Sequence, residues 1–497
     1  MNNSLPWLTA CLLLLSVPAW AGDAASDPRP NILVIVADDL GYGDLGFTGS
    51  ADIRTPHIDR LARDGMVMTN GYVTHPYCGP SRAGMLTGRY QARFGMELNI
   101  DFSPFDTNLG LPVGELTIGD RLQKVGYRTG LIGKWHLGAA PPFHPNNRGF
   151  EYFYGFLGGG HDYFPASTSV ARPLANPDGT PNGSALGGYN QPLLRNGGYA
   201  DFDEYLTTAM SKDAAQFVAE SKRPFFLFLS YNAPHTPLEA PAEFEEKYAH
   251  IEDPDRRTYA AMIDAMDVGI GTVISALEQS GKLDNTLIFF LSDNGGVYPE
   301  DWMTYATWSS NAPFRRGKVA LTEGGIHVPF VVHWPKGLPA GGEFDGLVSA
   351  LDIAATSVSL AGADDSDGLI DGRNLMPYLS GEFDGSPHEA LFWRFAEGDN
   401  IWAVRTPTAK YLQQMLPGVG RSFFDMDSDP YEARNIVDQR TEQQSELARL
   451  WNAWNKQNIQ NIWIRSEEYQ ERRRAFYDEV HKESLRRAEE RQPYEIE

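Results

Sequence analysis

The chain has 497 residues, with 42 Lys and Arg against 65 Asp and Glu, a formal net charge of −23. Hydrophobic residues make up 42 % and aromatic residues 12 %, which supplies a large core and excludes disorder as the main state. An acidic surface repels phosphate backbones and anionic headgroups, excluding nucleic acid and membrane surfaces as general partners, so an anionic substrate must meet a local basic pocket.

At the N-terminus, Leu5 to Val17 is an apolar run of signal-peptide length, followed by Pro18 and the small-x-small site Ala19-Trp20-Ala21. This reads as an export signal over residues 1–21, cleaved after Ala21, which sends the mature chain to the periplasm or out of the cell. Leu8-Thr9-Ala10-Cys11 has the composition of a lipoprotein box, but Leu12 to Leu15 continue the apolar run that such a box should end. No later segment reads as long and apolar enough to cross a bilayer, so the mature chain is expected to hold no integral membrane segment. Removal of Cys11 leaves Cys78 alone, and no internal disulfide can form. A lone thiol in an oxidising compartment is buried and inert, joins two chains, or serves chemistry.

Asn31 to Ala37 (NILVIVA) is a buried-strand pattern that stops at Asp38-Asp39. Thr55 to Asp64, with Pro56 in its first turn, reads as a helix. Tyr127 to Ile132 repeats the strand pattern and runs into Gly133-Lys134-Trp135-His136. Residues 157–200, rich in Gly, Pro, Asn and Ser, read as a long surface loop. A helix over Tyr205 to Glu220 precedes a strand over Pro224 to Ser230, which leads to Tyr231-Asn232-Ala233-Pro234-His235. Thr286 to Ser292 ends in Asp293-Asn294-Gly295-Gly296. Alternating strands and helices predict an α/β domain with a mostly parallel sheet, whose ligands sit outside the carboxyl ends of the strands. One strand ending in Asp is ordinarily a turn or a cap. Four runs ending in groups that bind metal, anion or proton point to a metal-dependent or acid/base enzyme.

The main domain is expected over 28–385, closing near Asp371-Gly372-Arg373-Asn374. Ala390 to Phe395, Trp402 to Arg405, Lys410 to Gln413 and Ser422 to Asp425 read as short strands of a C-terminal α+β subdomain, 386–497. Its tail, Arg465 to Arg491, carries balanced charges and reads as a solvated helix.

Cys78 sits in Pro76-Tyr77-Cys78-Gly79-Pro80-Ser81-Arg82. Pro80 suits a first helical position, setting Cys78 just before a helix N-terminus where free N–H groups and Arg82 favour an anion. A thiolate there would have a lowered pKa and could act as a nucleophile. The cysteine phosphatase arrangement, however, needs an Arg six residues after the Cys, and that position is Gly84.

Cys78-Gly79-Pro80-Ser81-Arg82 followed by Leu86-Thr87-Gly88-Arg89 resembles the first signature of the type I sulfatases. Gly126-Tyr127-Arg128-Thr129 with Gly133-Lys134-Trp135-His136-Leu137-Gly138 resembles the second, in order and correctly spaced. Thr55-Pro56-His57-Ile58-Asp59, Arg148-Gly149-Phe150 and Asp293-Asn294-Gly295 continue the resemblance through most of the chain. It implies an alkaline-phosphatase-like large domain, its mostly parallel sheet sandwiched by helices, and a smaller C-terminal domain with a short antiparallel sheet. It also implies that a formylglycine-generating maturation enzyme oxidises Cys78 to Cα-formylglycine (3-oxoalanine), whose hydrate is the nucleophile. Asp38, Asp39, Asp293 and Asn294 offer only oxygen, which suits a hard cation, and the resemblance favours Ca²⁺ over Mg²⁺, with residue 78 completing the shell.

By the same resemblance Arg82 and Lys134 hold the hydrate and its oxyanion, and Lys318, in Arg315-Arg316-Gly317-Lys318, binds sulfate. His235 corresponds to a sulfate-binding histidine and proton donor, and His136 to the base acting on residue 78. His161 and Asp162 stand where related sulfatases place substrate-recognition residues; a loop anchor is the alternative. The expected substrate is a sulfate monoester of a carbohydrate, with galactose or N-acetylgalactosamine units of a sulfated polysaccharide favoured. The competing readings are a phosphomonoesterase or phosphonate hydrolase of the same superfamily, and a sulfated-glycan-binding protein without turnover.

Overall fold

Two packed layers of apolar side chains flank a central sheet because the strand sequences alternate between its faces. From β1 (Asn31–Ala37), Ile32, Val34 and Val36 enter one core, and Leu33 and Ile35 enter the other. The computed structural model describes residues 27–165, 191–298, 308–395, 401–414 and 419–462. The export signal, Cys11, residues 166–190 of the predicted loop and the charged tail lie outside the described residues.

The strands after β1 are β2 (Met66–Met68), β3 (Gly71–Tyr72), β4 (Arg128–Lys134), β5 (Tyr152–Phe156), β6 (Leu193–Arg195), β7 (Gly198–Ala200), β8 (Phe225–Ser230), β9 (Thr286–Ser292), β10 (Phe330–His333), β11 (Gly342–Phe344) and β12 (Val348–Ser349). Ten of them form one sheet in the order β11-β2-β10-β9-β1-β8-β4-β5-β6-β7, and β3 pairs with β12 alone. β9, β1, β8, β4 and β5 run parallel side by side, with Val34 opposite both Phe228 and Phe289. Residues predicted as a surface loop thus include the antiparallel hairpin β6–β7 at the sheet edge. The short apolar stretches that form it are masked in the sequence by the polar run before them.

Helices α1 (Pro56–Asp64), α4 (Leu206–Glu220) and α5 (Pro254–Gln279) contribute to the core on the Leu33 face. α2 (Cys78–Thr87), α3 (Ile118–Lys124) and α6 (Asp352–Ala361) contribute to the core on the Ile32 face. α5 corrects the expectation that no later segment is long and apolar enough to span a membrane. Length and composition allow it, but Ile263, Met266, Ile270 and Val273 are spent on the protein core.

β13 (Leu391–Arg394), β14 (Trp402–Arg405), β15 (Ala409–Gln414) and β16 (Gly420–Asp425) form an antiparallel sheet. α7 (Thr441–Asn455) packs against it through Leu447, Trp451 and Trp454. The buried ammonium of Lys410 in β15 pairs at 2.7 Å with both Glu323 and Glu432. Gln414 accepts from Leu321 N at 2.7 Å and donates to the Val319 carbonyl at 3.0 Å. The small sheet therefore clamps the stretch that follows Lys318. Lys410→Met strands two buried carboxylates without their cation and is expected to cost about 3–5 kcal/mol in equilibrium urea unfolding. A loss below about 1 kcal/mol would show that the network is not what joins the two sheets.

Candidate active site

The four predicted strand ends open together on one edge because β9, β1, β8 and β4 are adjacent and parallel. Asp38 leaves β1 fully buried, and Asp39 follows in the left-handed region at φ 62°. For a residue with a side chain that conformation costs on the order of 1 kcal/mol, strain of the kind that collects at functional sites. Lys134 is the last residue of β4, and its ammonium donates to Asp38 Oδ2 at 2.5 Å. Gly133 just before it has φ 107°, and a Cβ there would fall 1.8 Å from the Ser230 carbonyl of β8, so glycine alone allows this approach.

Cys78 is the first residue of α2, with Tyr77 as N-cap, and Pro80 is the third helical residue, not the first as expected. The first turn has no intrahelical N–H bond for proline to remove, which is why the helix begins earlier. Gly79 N donates to Asn99 Oδ1 at 2.8 Å. Arg82, one turn on and fully buried, donates from Nε to Asp293 Oδ2 at 2.8 Å, from Nη1 to the Lys134 carbonyl at 3.2 Å, and to the Ser230 hydroxyl. Lys318 Nζ reaches both Asp39 oxygens at 2.7 and 2.6 Å and lies 3.4 Å from Cys78 Sγ. Cys78 Sγ is 3.8 Å from Asp39 Oδ1, Asn294 Nδ2 donates to that oxygen at 2.7 Å, and His235 Nε2 is 3.6 Å from Asp39 Oδ2.

Burial pushes the Cys78 thiol far up, and the opposing pull of Lys134 and Lys318 does not overcome it. The lowered pKa expected at a helix N-terminus is thereby corrected: desolvation outweighs the dipole, and the residue is a thiol at neutral pH. Burial also raises Asp293 to about 6, aided by the Asp38 carboxylate and resisted by Arg82. For Asp39 burial pulls upward, but the Lys318 and Lys134 ammonium groups hold it below the ordinary carboxylate range. Burial pushes His235 down to about 3 and His136 well below its usual value, with Lys134 and Arg82 adding to the latter. Both rings are neutral in the free pocket.

The oxygen atoms of Asp38, Asp39 and Asp293 and the sulfur of Cys78 lie within 4.8 Å of one another. Asp38 Oδ1 and Asn294 Oδ1 are buried with no hydrogen-bond partner among the described residues. Orphaned acceptors facing a cluster of oxygen donors fit a hard divalent cation.

His136, at φ 59°, is also buried, and its Nδ1 has no hydrogen-bond partner among the described residues. Its ring packs against Gly159, where a Cβ would come 3.0 Å from Nε2. His161 is buried between Phe156 and Phe202, its Nδ1 donates to the Asp162 carbonyl at 2.7 Å, and its own carbonyl accepts from Asn232 Nδ2 at 2.7 Å. These are the contacts of a loop anchor; Asp162 is half-buried beside it. The sequence reading missed Ser230, Asn99 and Tyr163, whose single hydroxyl proton is shared between the Asn232 and His235 carbonyls, each 2.7 Å away. A polar residue closing an apolar strand was the only signal for Ser230, and none marked the other two.

Residues 30–363 match the family model described as Sulfatase, and residues 317–460 that of the N-sulphoglucosamine sulphohydrolase C-terminal region. A steryl-sulfatase of Rattus norvegicus is 35 % identical over 90 % of this chain and 92 % of its own. N-acetylgalactosamine-6-sulfatase of Homo sapiens is 32 % identical over 86 % of this chain and 85 % of its own. The crystal structure of Ps i-CgsB in complex with k-i-k-neocarrahexaose is similar with a TM-score of 0.80 and 38 % identity, covering 90 % of this chain and 98 % of that one.

Proposed function

We propose, from the premise that this chain belongs to the sulfatase family and hydrolyses sulfuric esters, that it desulfates galactose or N-acetylgalactosamine-type units of a sulfated polysaccharide through a formylglycine made from Cys78. The observation that carries the mechanism is a buried Cys78 held 3.4 Å from Lys318 inside a cluster of oxygen ligands, where burial favours the thiol over the thiolate. A thiol there is a poor nucleophile, whereas the position suits an oxygen nucleophile. The hydrated aldehyde would supply that oxygen; a bound divalent ion, Ca²⁺ in this reading, would supply Lewis acidity toward it and positive charge for the sulfate. The galactan substrate rests on the likeness to a protein crystallised with neocarrahexaose.

Asp38, Asp39, Asp293 and Asn294 would hold the ion. Arg82 and Lys134 fix the carboxylates and face residue 78, and Lys318 with His235 receives the sulfate oxygens. His235 Nδ1 donates to the Thr236 carbonyl at 2.7 Å, so a proton for the leaving alcohol must sit on Nε2. Bound sulfate brings the negative charge that favours this protonation in the complex. His136, held neutral by burial and with no partner for Nδ1 among the described residues, is able to accept a proton from residue 78. In this reading Asp162, half-buried beside the anchored His161, is the member of the pair that meets the sugar. Activity follows export to the periplasm or beyond and oxidation of Cys78 by a maturation enzyme.

The test is kcat/KM on carrageenan-type oligosaccharide sulfates beside steryl sulfate, aryl sulfate and aryl phosphate. The oligosaccharide should be preferred to steryl sulfate. A higher value on aryl phosphate than on aryl sulfate would make the enzyme a phosphomonoesterase, and binding without turnover would make it a glycan-binding protein. Chelation is expected to remove about one divalent ion per chain together with activity, and Ca²⁺ should restore it. Full activity in metal-free protein would refute the metal site.

A further inference from the structure

A second cavity, of about 720 Å³, opens where the ends of β2 and β11 meet the turns of the four-stranded sheet. None of the residues assigned to the reaction lines it, although Phe314 belongs to the segment that leads to Lys318. Its floor is aromatic. Phe314 stacks on His327 at 4.1 Å and meets Tyr42 edge-on at 4.5 Å, and Tyr431 lies 6.0 Å from Phe314 with 49 % of its surface exposed.

Three of the polar groups, on His327, Asp345 and Asp427, are acceptors. His327 Nδ1 lies 2.9 Å from the Glu323 carboxylate, which only accepts, so the ring proton sits on Nδ1 and Nε2 is a lone pair. That Nε2 is buried and lacks a hydrogen-bond partner among the described residues. Asp345 and Asp427 add carboxylates at the rim, while the Arg405 guanidinium is turned to the Tyr72 hydroxyl and the Thr406 carbonyl. Sulfate or phosphate would bring acceptors and like charge to a site already supplied with both. Hydroxyl donors on a ring with a carbon face match the acceptors and the aromatic floor together.

We propose that this cavity binds neutral, unsulfated sugar units, gripping a polysaccharide away from the reacting centre. The site stands apart from the sulfatase reading, which governs only the choice of probe. Calorimetric titration of the full chain with a desulfated carrageenan tetrasaccharide is the test, on wild type, Tyr431→Ala and Asp427→Asn. The tetrasaccharide is expected to bind wild type and to bind each variant about tenfold more weakly. Turnover of nitrophenyl sulfate should stay within about twofold in both variants, and inorganic sulfate should not displace the sugar. No binding at about 10 mM, unchanged affinity in both variants, or displacement by sulfate would overturn the proposal. Failure of the sulfatase mechanism would show instead as absent nitrophenyl sulfate turnover in wild type.

Discussion

Cys78→Ala is expected to lower turnover of every sulfate ester by about 10⁴-fold or more while the protein remains folded. The side chain is buried at the first position of α2, where alanine fills helical geometry well and removes one sulfur atom. Arg82, Lys134 and Lys318 keep their carboxylate partners Asp293, Asp38 and Asp39, so the charge cluster has no reason to collapse. The measurement is kcat/KM on nitrophenyl sulfate beside a thermal unfolding curve. Activity within about tenfold of wild type would remove residue 78 from the chemistry. Cys78→Ser should be equally inactive unless the host oxidises serine at such motifs.

The second large effect divides two histidines by leaving group. A sugar alkoxide needs a proton as its bond to sulfur breaks, and nitrophenolate does not. His235→Ala is therefore expected to cost about 10²–10⁴-fold on a sugar sulfate and much less on nitrophenyl sulfate, with some loss on both because His235 also faces the sulfate. Since burial holds the free ring near a pKa of about 3, the required proton is weakly held. The sign follows: kcat/KM on the sugar sulfate falls as pH rises, and the aryl profile is flatter. His136→Ala should act after the alcohol has left, giving a burst of about one nitrophenol per chain and then slow turnover. Equal losses for His235→Ala on both substrates would end its role as acid, and absence of a burst would end the role given to His136.

Most of the candidate edge was legible as a cluster because its parts lie at the ends of strongly apolar strands. Thr286–Ser292 and Asn31–Ala37 are strands with the boundaries their composition predicts, and Asp293 and Asp38 follow directly. What the pattern could not convey is depth. Cys78, Arg82 and Lys134 are almost wholly buried, and burial reverses the thiol's expected pKa and makes each cation depend on a named carboxylate. Position 318 was readable only by resemblance, since Arg315, Arg316 and Lys318 are interchangeable in composition. The structure separates them by placing the Lys318 ammonium on Asp39 and Cys78. Long-range positioning was invisible: nothing near Gln414 or Lys410 in sequence announces that they clamp residues 319 to 323. α7 was missed although Leu447, Trp451 and Trp454 have helical spacing, because its apolar stripe is confined to the second half of the helix and follows the polar run Thr441 to Ser445.

The central claim is that residue 78 acts as an oxygen nucleophile made from cysteine. It is tested most directly by mass spectrometry of the peptide spanning Tyr77 to Arg89, taken from protein with measured sulfatase activity and made in a host that carries the maturation enzyme. The account predicts an aldehyde or its hydrate at position 78, in a fraction that rises and falls with specific activity across preparations. Active protein in which position 78 is only an unmodified thiol would contradict it.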